Sequence, residues 1–98
     1  MADRRTKKPL DPELARARRE AFYAQAAAGE LTVGQAVTAM RKISRLTQPE
    51  FARHRGISVQ ALRQIEKDAG NPTVQTLGKI AAVFGLQVGF VPAPRAKS

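Results

Sequence analysis

Apolar positions recur at helical spacing through most of this chain. Most of the apolar stretches open on a capping residue and close on a glycine. Asp11-Pro12 offers a side-chain acceptor, then a proline whose missing amide hydrogen costs nothing in a first turn. A helix is therefore predicted from there to about Ala28, with Gly29 as its stop. Leu14, Ala17, Ala21 and Ala24 share one narrow face of it, Phe22 and Tyr23 add bulk beside that face, and Arg16, Arg18 and Arg19 lie largely away from it. Such a helix packs against the rest of the domain or against a partner chain, and spacing does not choose between them.

Thr32-Val33-Gly34-Gln35 has the form of a capping box, in which cap hydroxyl and third-residue amide satisfy each other's backbone. The helix it opens is predicted to run from Val33 to about Ser44, with Val33, Ala36, Val37, Met40 and Ile43 on one side. Thr47-Gln48-Pro49-Glu50 is a second box, opening a short helix that turns Phe51 and Ala52 inward and ends near Arg55, before Gly56. Ser58 caps the next helix, predicted to reach Ala69 and to be closed by Gly70 and Asn71-Pro72. Thr73 caps the last, with Val74, Leu77, Ile80, Ala81 and Phe84 as its buried stripe and Gly85 as its end.

The period then changes. Leu86, Val88 and Phe90 alternate with Gln87, Gly89 and Val91 until Pro92, which predicts a short strand over 86–91. A lone strand leaves its backbone polar groups unpaired, and the rest of the chain reads as helical. The partner expected is the same strand of a second subunit, with Leu86, Val88 and Phe90 carrying dimerisation.

At 98 residues the chain has room for one domain. It divides into a flexible basic arm (1–10), an extra N-terminal helix (11–29), a helical domain (32–85), the strand (86–91) and a flexible tail (92–98). Cysteine is absent, no apolar run is long enough for a bilayer, and the basic start is followed by Pro9 and Asp11 rather than an apolar segment. Those features fit a cytoplasmic, nucleoid-associated protein with no membrane partner. The net charge of +9 calls for a polyanion, nucleic acid before an anionic membrane surface or an acidic protein. Between Arg41 and Lys67 seven Lys or Arg residues stand against two acids, so the charge gathers in the middle of the chain.

That middle contains two short helices joined by a tight corner, Gly56-Ile57, with Ile57 plugging the joint and Ala52 small where the axes approach. This is a helix-turn-helix, whose second helix fits the major groove of B-DNA. At 100° per residue Leu62, Ile65 and Ala69 cluster inward, while Gln60, Arg63, Gln64 and Lys67 fall roughly opposite and Val59 lies at the edge. Arg63 has the geometry for guanine, Gln60 or Gln64 for adenine and Val59 for a thymine methyl, with Ser58 at the helix start. The alternative for each is an ordinary solvated helix face. Gln48, Arg45, Arg53, Arg55, Lys67 and Thr73 are the candidate phosphate contacts, the first and last at helix starts. Glu66 points partly away from this face and is read as the structural partner of an arginine on the first or second helix. His54 is the lone histidine and no catalytic set or phosphate loop emerges, so no metal, cofactor or enzymatic activity is expected.

Leu46-Thr47-Gln48-Pro49-Glu50-Phe51-Ala52, Gly56-Ile57-Ser58, Leu62, Ile65-Glu66, Asn71-Pro72-Thr73, Leu77 and Ile80-Ala81 together resemble the Cro/repressor (xenobiotic-response-element) family over about Val33–Leu86. The resemblance implies an all-α, lambda repressor-like bundle that dimerises on palindromic operators and acts as a sequence-specific transcriptional repressor. It places the phosphate-clamping role on Gln48 and base reading on Val59, Gln60, Arg63 and Gln64, with Ser58 used in some members. Position 45, often glycine in that family, is arginine here. A last helix followed by a strand is similar to the antitoxins of HipA-type kinase toxins, which implies an autoregulating antitoxin of a type II system with a HipA-like or other toxin as partner. The alternative is a stand-alone or phage-type regulator with no toxin. The helix at 11–29 has no counterpart in the minimal family domain.

Overall fold

The computed structural model describes residues 11–93, which form five helices: α1 (Pro12–Ala27), α2 (Val33–Ile43), α3 (Gln48–Arg55), α4 (Val59–Glu66) and α5 (Val74–Ala82). The basic arm and the last residues of the tail lie outside the described residues. Helix α2 is central, packing against α1 on one side and α4 on the other, and α3 closes against α4. Phe22, Val37, Met40, Phe51, Leu62, Ile65 and Ile80 fill the space between them.

Each start follows from its capping residue. The Asp11 carboxylate accepts from the Glu13 and Leu14 amides at 3.0 and 3.3 Å. Both capping boxes form: the Gln35 amide donates to the Thr32 hydroxyl at 3.0 Å and the Glu50 amide to the Thr47 hydroxyl at 3.3 Å, with each third residue bonding back. Ser58 and Thr73 cap α4 and α5 more simply, their hydroxyls accepting from the Ala61 and Thr76 amides at 3.0 Å.

The ends share one device. After α1, α2, α3, α4 and α5 a residue turns left-handed and the next amide reaches back five residues: Glu30 to Gln25, Leu46 to Arg41, Ile57 to Ala52, Ala69 to Gln64 and Leu86 to Ala81. Three of these corners use glycine, which takes a positive φ without steric cost. The other two are Arg45 (φ 59°) and Asp68 (φ 58°). Arginine at 45 therefore leaves the shape of the α2 end intact, and the left turn at Asp68 stops α4 at Glu66, three residues before the expected Ala69.

Asp68 has a compensating use. Its carboxylate accepts from the Gly34 amide and the Thr32 hydroxyl, both at 2.7 Å, so the residue that ends α4 also caps the start of α2. A Cβ on Gly34 would lie 2.7 Å from the Glu66 carbonyl oxygen and 2.8 Å from that of Ile65. The two helices meet backbone to backbone there, and only glycine fits.

Four expectations are corrected. The alanine face of α1 is exposed along Leu14, Ala17, Ala21 and Ala24; Phe22, at 2% exposure, turns inward with Tyr23 beside it. One aromatic ring hides far more apolar area than several alanine methyls, so size outweighs the count of apolar positions. Phe22 meets Phe84 edge-on at 6.2 Å, and the Tyr23 hydroxyl donates to the Phe84 carbonyl at 2.8 Å, tying α1 to the end of α5. Val74 is 70% exposed rather than part of the α5 stripe. Helix α4 ends early, for the reason given above.

The fourth concerns the fold class. Among the described residues there is no β-strand: 86–93 carries no regular element, and the bundle is all-α with no strand for dimer pairing. Leu86 is drawn toward the core by the α5 end motif while Val88 and Phe90 stay exposed, so the three alternating residues do not share one face. The segment then passes the end of α1, where a Cβ on Gly29 would come within 2.9 Å of the Val91 side chain.

Two substitutions test this packing. Gly34→Ala is expected to cost about 1–3 kcal/mol by forcing α2 off the end of α4, and Phe22→Ala about 3–5 kcal/mol. Urea unfolding followed by circular dichroism measures both.

Candidate nucleic-acid interface

Leu62 and Ile65 are buried and fix the azimuth of α4. With those two turned inward, Gln60, Arg63, Gln64 and Lys67 stand exposed along the opposite side, and Ser58 is exposed at the helix start. Val59 is half-buried against the core cluster, so of the five base-reading candidates it presents least to solvent. The Gln64 stem lies against Gly70, where a Cβ would be 3.3 Å away.

Behind this face runs a chain of polar contacts. Arg41 of α2 holds Glu66 in a two-pronged pair, Nε to Oε2 at 2.7 Å and Nη2 to Oε1 at 3.1 Å, with side chains only 17% and 8% exposed. This is the arginine partner expected for Glu66. Arg41 also donates to the Leu46 carbonyl at 3.2 Å, pinning the corner between α2 and α3. The Gln48 side-chain nitrogen donates to Glu66 Oε1 at 3.1 Å, and Arg63 Nε donates to Gln48 Oε1 at 3.3 Å.

The order of these contacts follows from what each group can do. A carboxylate only accepts and a guanidinium only donates, so the Gln48 amide between them has one satisfied orientation. Its nitrogen faces Glu66 and its oxygen faces Arg63. The structure thus brings together Gln48, a phosphate candidate at the start of α3, and Arg63, a base-reading candidate in the middle of α4.

Burial alone raises the Glu66 pKa. The hydrogen bonds from Arg41 and Gln48, the Arg41 charge and a bond from Thr38 together outweigh it, and the carboxyl titrates below its usual value. Asp68 is also lowered, first by the Thr32 hydroxyl and then by the Gly34 amide.

The remaining phosphate candidates spread around this unit. Arg53 and Lys67 are exposed, on α3 and just past α4. Arg45 occupies the left-handed corner before α3. Thr73 caps α5, where its hydroxyl accepts from the Thr76 amide at 3.0 Å. Arg55 folds back instead: its guanidinium sits 4.3 Å above the Phe51 ring, and its buried Nε has no partner among the described residues. That stacking and burial make it part of the packing of α3. Asp68, Arg41 and Thr38 support the site and were not singled out by sequence reasoning. A positive-φ aspartate leaves no signature in the sequence, and Arg41 reads as one of several surface charges until α4 is placed beside it.

Both shifted carboxylates are held ionised by the fold. Their stabilisation is complete above the ordinary carboxylate range of about 4, and it is lost as pH falls through their lowered native values. Thermal unfolding between pH 7 and 3 is expected to show a falling midpoint. Glu66→Gln should lower the midpoint at pH 7 and flatten part of that slope; an unchanged slope would place the acid sensitivity elsewhere.

A helix-turn-helix family model matches residues 38–91, more than half of the chain, including α3, the Gly56 corner and α4. The immunity repressor protein of Bacillus phage phi105 is 39% identical over 61 residues, which cover 62% of this chain and 42% of that repressor. The chain thus spans about two fifths of the length of this curated relative. No solved structure matches it. No helix among the described residues is long and apolar enough to cross a membrane. With the two short helices, the left-handed corner between them and the family match on the same residues, this chain belongs to the helix-turn-helix family of Cro/CI-type repressor domains, which bind DNA and are not enzymes.

Proposed function

We propose that this protein is a sequence-specific repressor that binds duplex DNA as a homodimer on a palindromic operator, as a phage-type regulator does. The observation that carries the reading is the exposed edge of α4: Gln60, Arg63 and Gln64 face solvent on a helix whose other side is locked by Leu62 and Ile65. Arg63 and the two glutamines supply the side-chain types that pair with guanine and adenine in the major groove, and Ser58 and Val59 stand at the helix start. Gln48, Arg45, Arg53, Lys67 and Thr73 hold phosphates on either side of it. The positive charge between Arg41 and Lys67 supports the same face, and so does the likeness to a protein described as an immunity repressor.

Homodimerisation is supported by the apolar surface at the end of the chain, where Val83 and Phe90 are widely exposed in a single copy. The antitoxin reading rested on a C-terminal strand that the described residues do not contain, so the phage-type alternative is the better supported of the two.

Titration of the protein against a palindrome from its own promoter, beside a scrambled duplex at fixed salt, tests this. A preference of about 1000-fold or more is expected, and equal affinity for both would refute specific readout. Arg63→Ala should lose about 1–3 kcal/mol of discrimination at one base position, while Gln48→Ala should weaken both duplexes through the lost phosphate contact and, by releasing Arg63, cost a smaller part of that discrimination.

A further inference from the structure

Helix α1 lies outside the residues matched by the family model, and its docking on α2 creates a groove whose α1 side carries none of the DNA-contact candidates. Between the two helices and the corner before α3, this groove has a volume of about 970 Å³. Its apolar lining is made by Leu14, Phe22, Ile43 and Leu46, of which Leu14 is the most exposed. Arg18, Arg19 and Lys42 stand on its rim, and none of them makes an ion pair among the described residues. Asp11, at one end, is the one acid in the lining, and its carboxylate is turned to the α1 amides. Arg45 also lines the groove, in a left-handed conformation that glycine would hold without strain.

We propose that this groove binds an acidic amphipathic helix of another protein, with apolar side chains seated between α1 and α2 and carboxylates paired to Arg18, Arg19 and Lys42. Two helices with an open apolar seam offer the shape that takes a third helix. Charge decides the occupant. The chain carries +9, and the segments on either side of the described residues are basic, with Arg4-Arg5-Thr6-Lys7-Lys8 before them and Arg95 and Lys97 after them. Neither of these segments nor a second copy of this sequence complements a cationic rim. Duplex DNA would satisfy the arginines, but its backbone presents no apolar group to a lining of Leu14, Ile43 and Leu46. A segment alternating leucine-like and glutamate-like residues at helical spacing satisfies both. Because the groove borders the corner that leads into α3, such a partner would sit beside the phosphate-clamping end of the reading unit.

The test uses the full chain and a fluorescein-labelled amphipathic peptide of about 16 residues, ~24 Å of helix, with leucine on one face and glutamate on the other. A control peptide keeps every glutamate and replaces each leucine by serine. Anisotropy should show saturable binding of the first peptide and binding weaker by about tenfold or more for the second. The variant R18E/R19E changes exposed side chains only, and circular dichroism checks that it folds. It should weaken the leucine-containing peptide by about tenfold while duplex affinity stays within about threefold. Leu14→Asp should weaken the peptide without changing the sedimenting mass. Equal binding of the two peptides would reduce the effect to bulk charge and overturn the proposal. Loss of duplex affinity in R18E/R19E without a peptide preference would make the groove a phosphate surface, and a fall in mass for Leu14→Asp would make it a contact between copies; either overturns it.

Discussion

The ion pair between Arg41 and Glu66 joins the reading unit to the rest of the domain. Two charges at 17% and 8% exposure have lost much of their hydration, and mutual attraction alone rarely restores it. The pair holds because several donors share the one carboxylate: both guanidinium prongs, the Gln48 amide and Thr38 converge on it. The result is orientation more than stability. Glu66 sits at the end of α4, Arg41 on α2 and Gln48 at the start of α3, so a single carboxylate sets three helices and, through the Gln48 amide, positions Arg63 at the surface.

A second meeting of the same helices reinforces this one. The carbonyl end of α4 presses on the backbone of α2 at Gly34, and Asp68 reaches over to cap it. One end of α2 is thus fixed by Asp68 and the other half by Glu66, two residues apart in sequence. Helix α4 cannot rotate without breaking both contacts, which fixes the direction in which its outward face points.

Much of this was legible in the sequence because capping is local chemistry. Thr32 with Gln35, Thr47 with Glu50, and Asp11, Ser58 and Thr73 each place a helix start to the residue. The inward and outward faces of α4 followed from spacing, since Leu62 and Ile65 are large and their neighbours polar. What was not legible depends on tertiary context. Arg45 and Asp68 do the work of glycine at two helix ends, and only the hydrogen bonds of Asp68 explain its conformation. On α1 the alanines outnumber the aromatics, yet Phe22 and Tyr23 choose the docking face. At the end of the chain, alternation over 86–91 resembled a strand, but Leu86 is claimed by the α5 end motif and the rest finds no ladder among the described residues.

DNA recognition in this account rests on a rigid α4 that offers Gln60, Arg63 and Gln64 while Gln48 anchors the backbone beside it. Chemical-shift mapping of the labelled protein during titration with its promoter duplex measures this most directly. The largest changes should fall on the side chains of Gln48, Gln60, Arg63 and Gln64, with Leu62 and Ile65 keeping their buried contacts. Changes confined to α1 and the groove beside it, with α4 silent, would contradict the account.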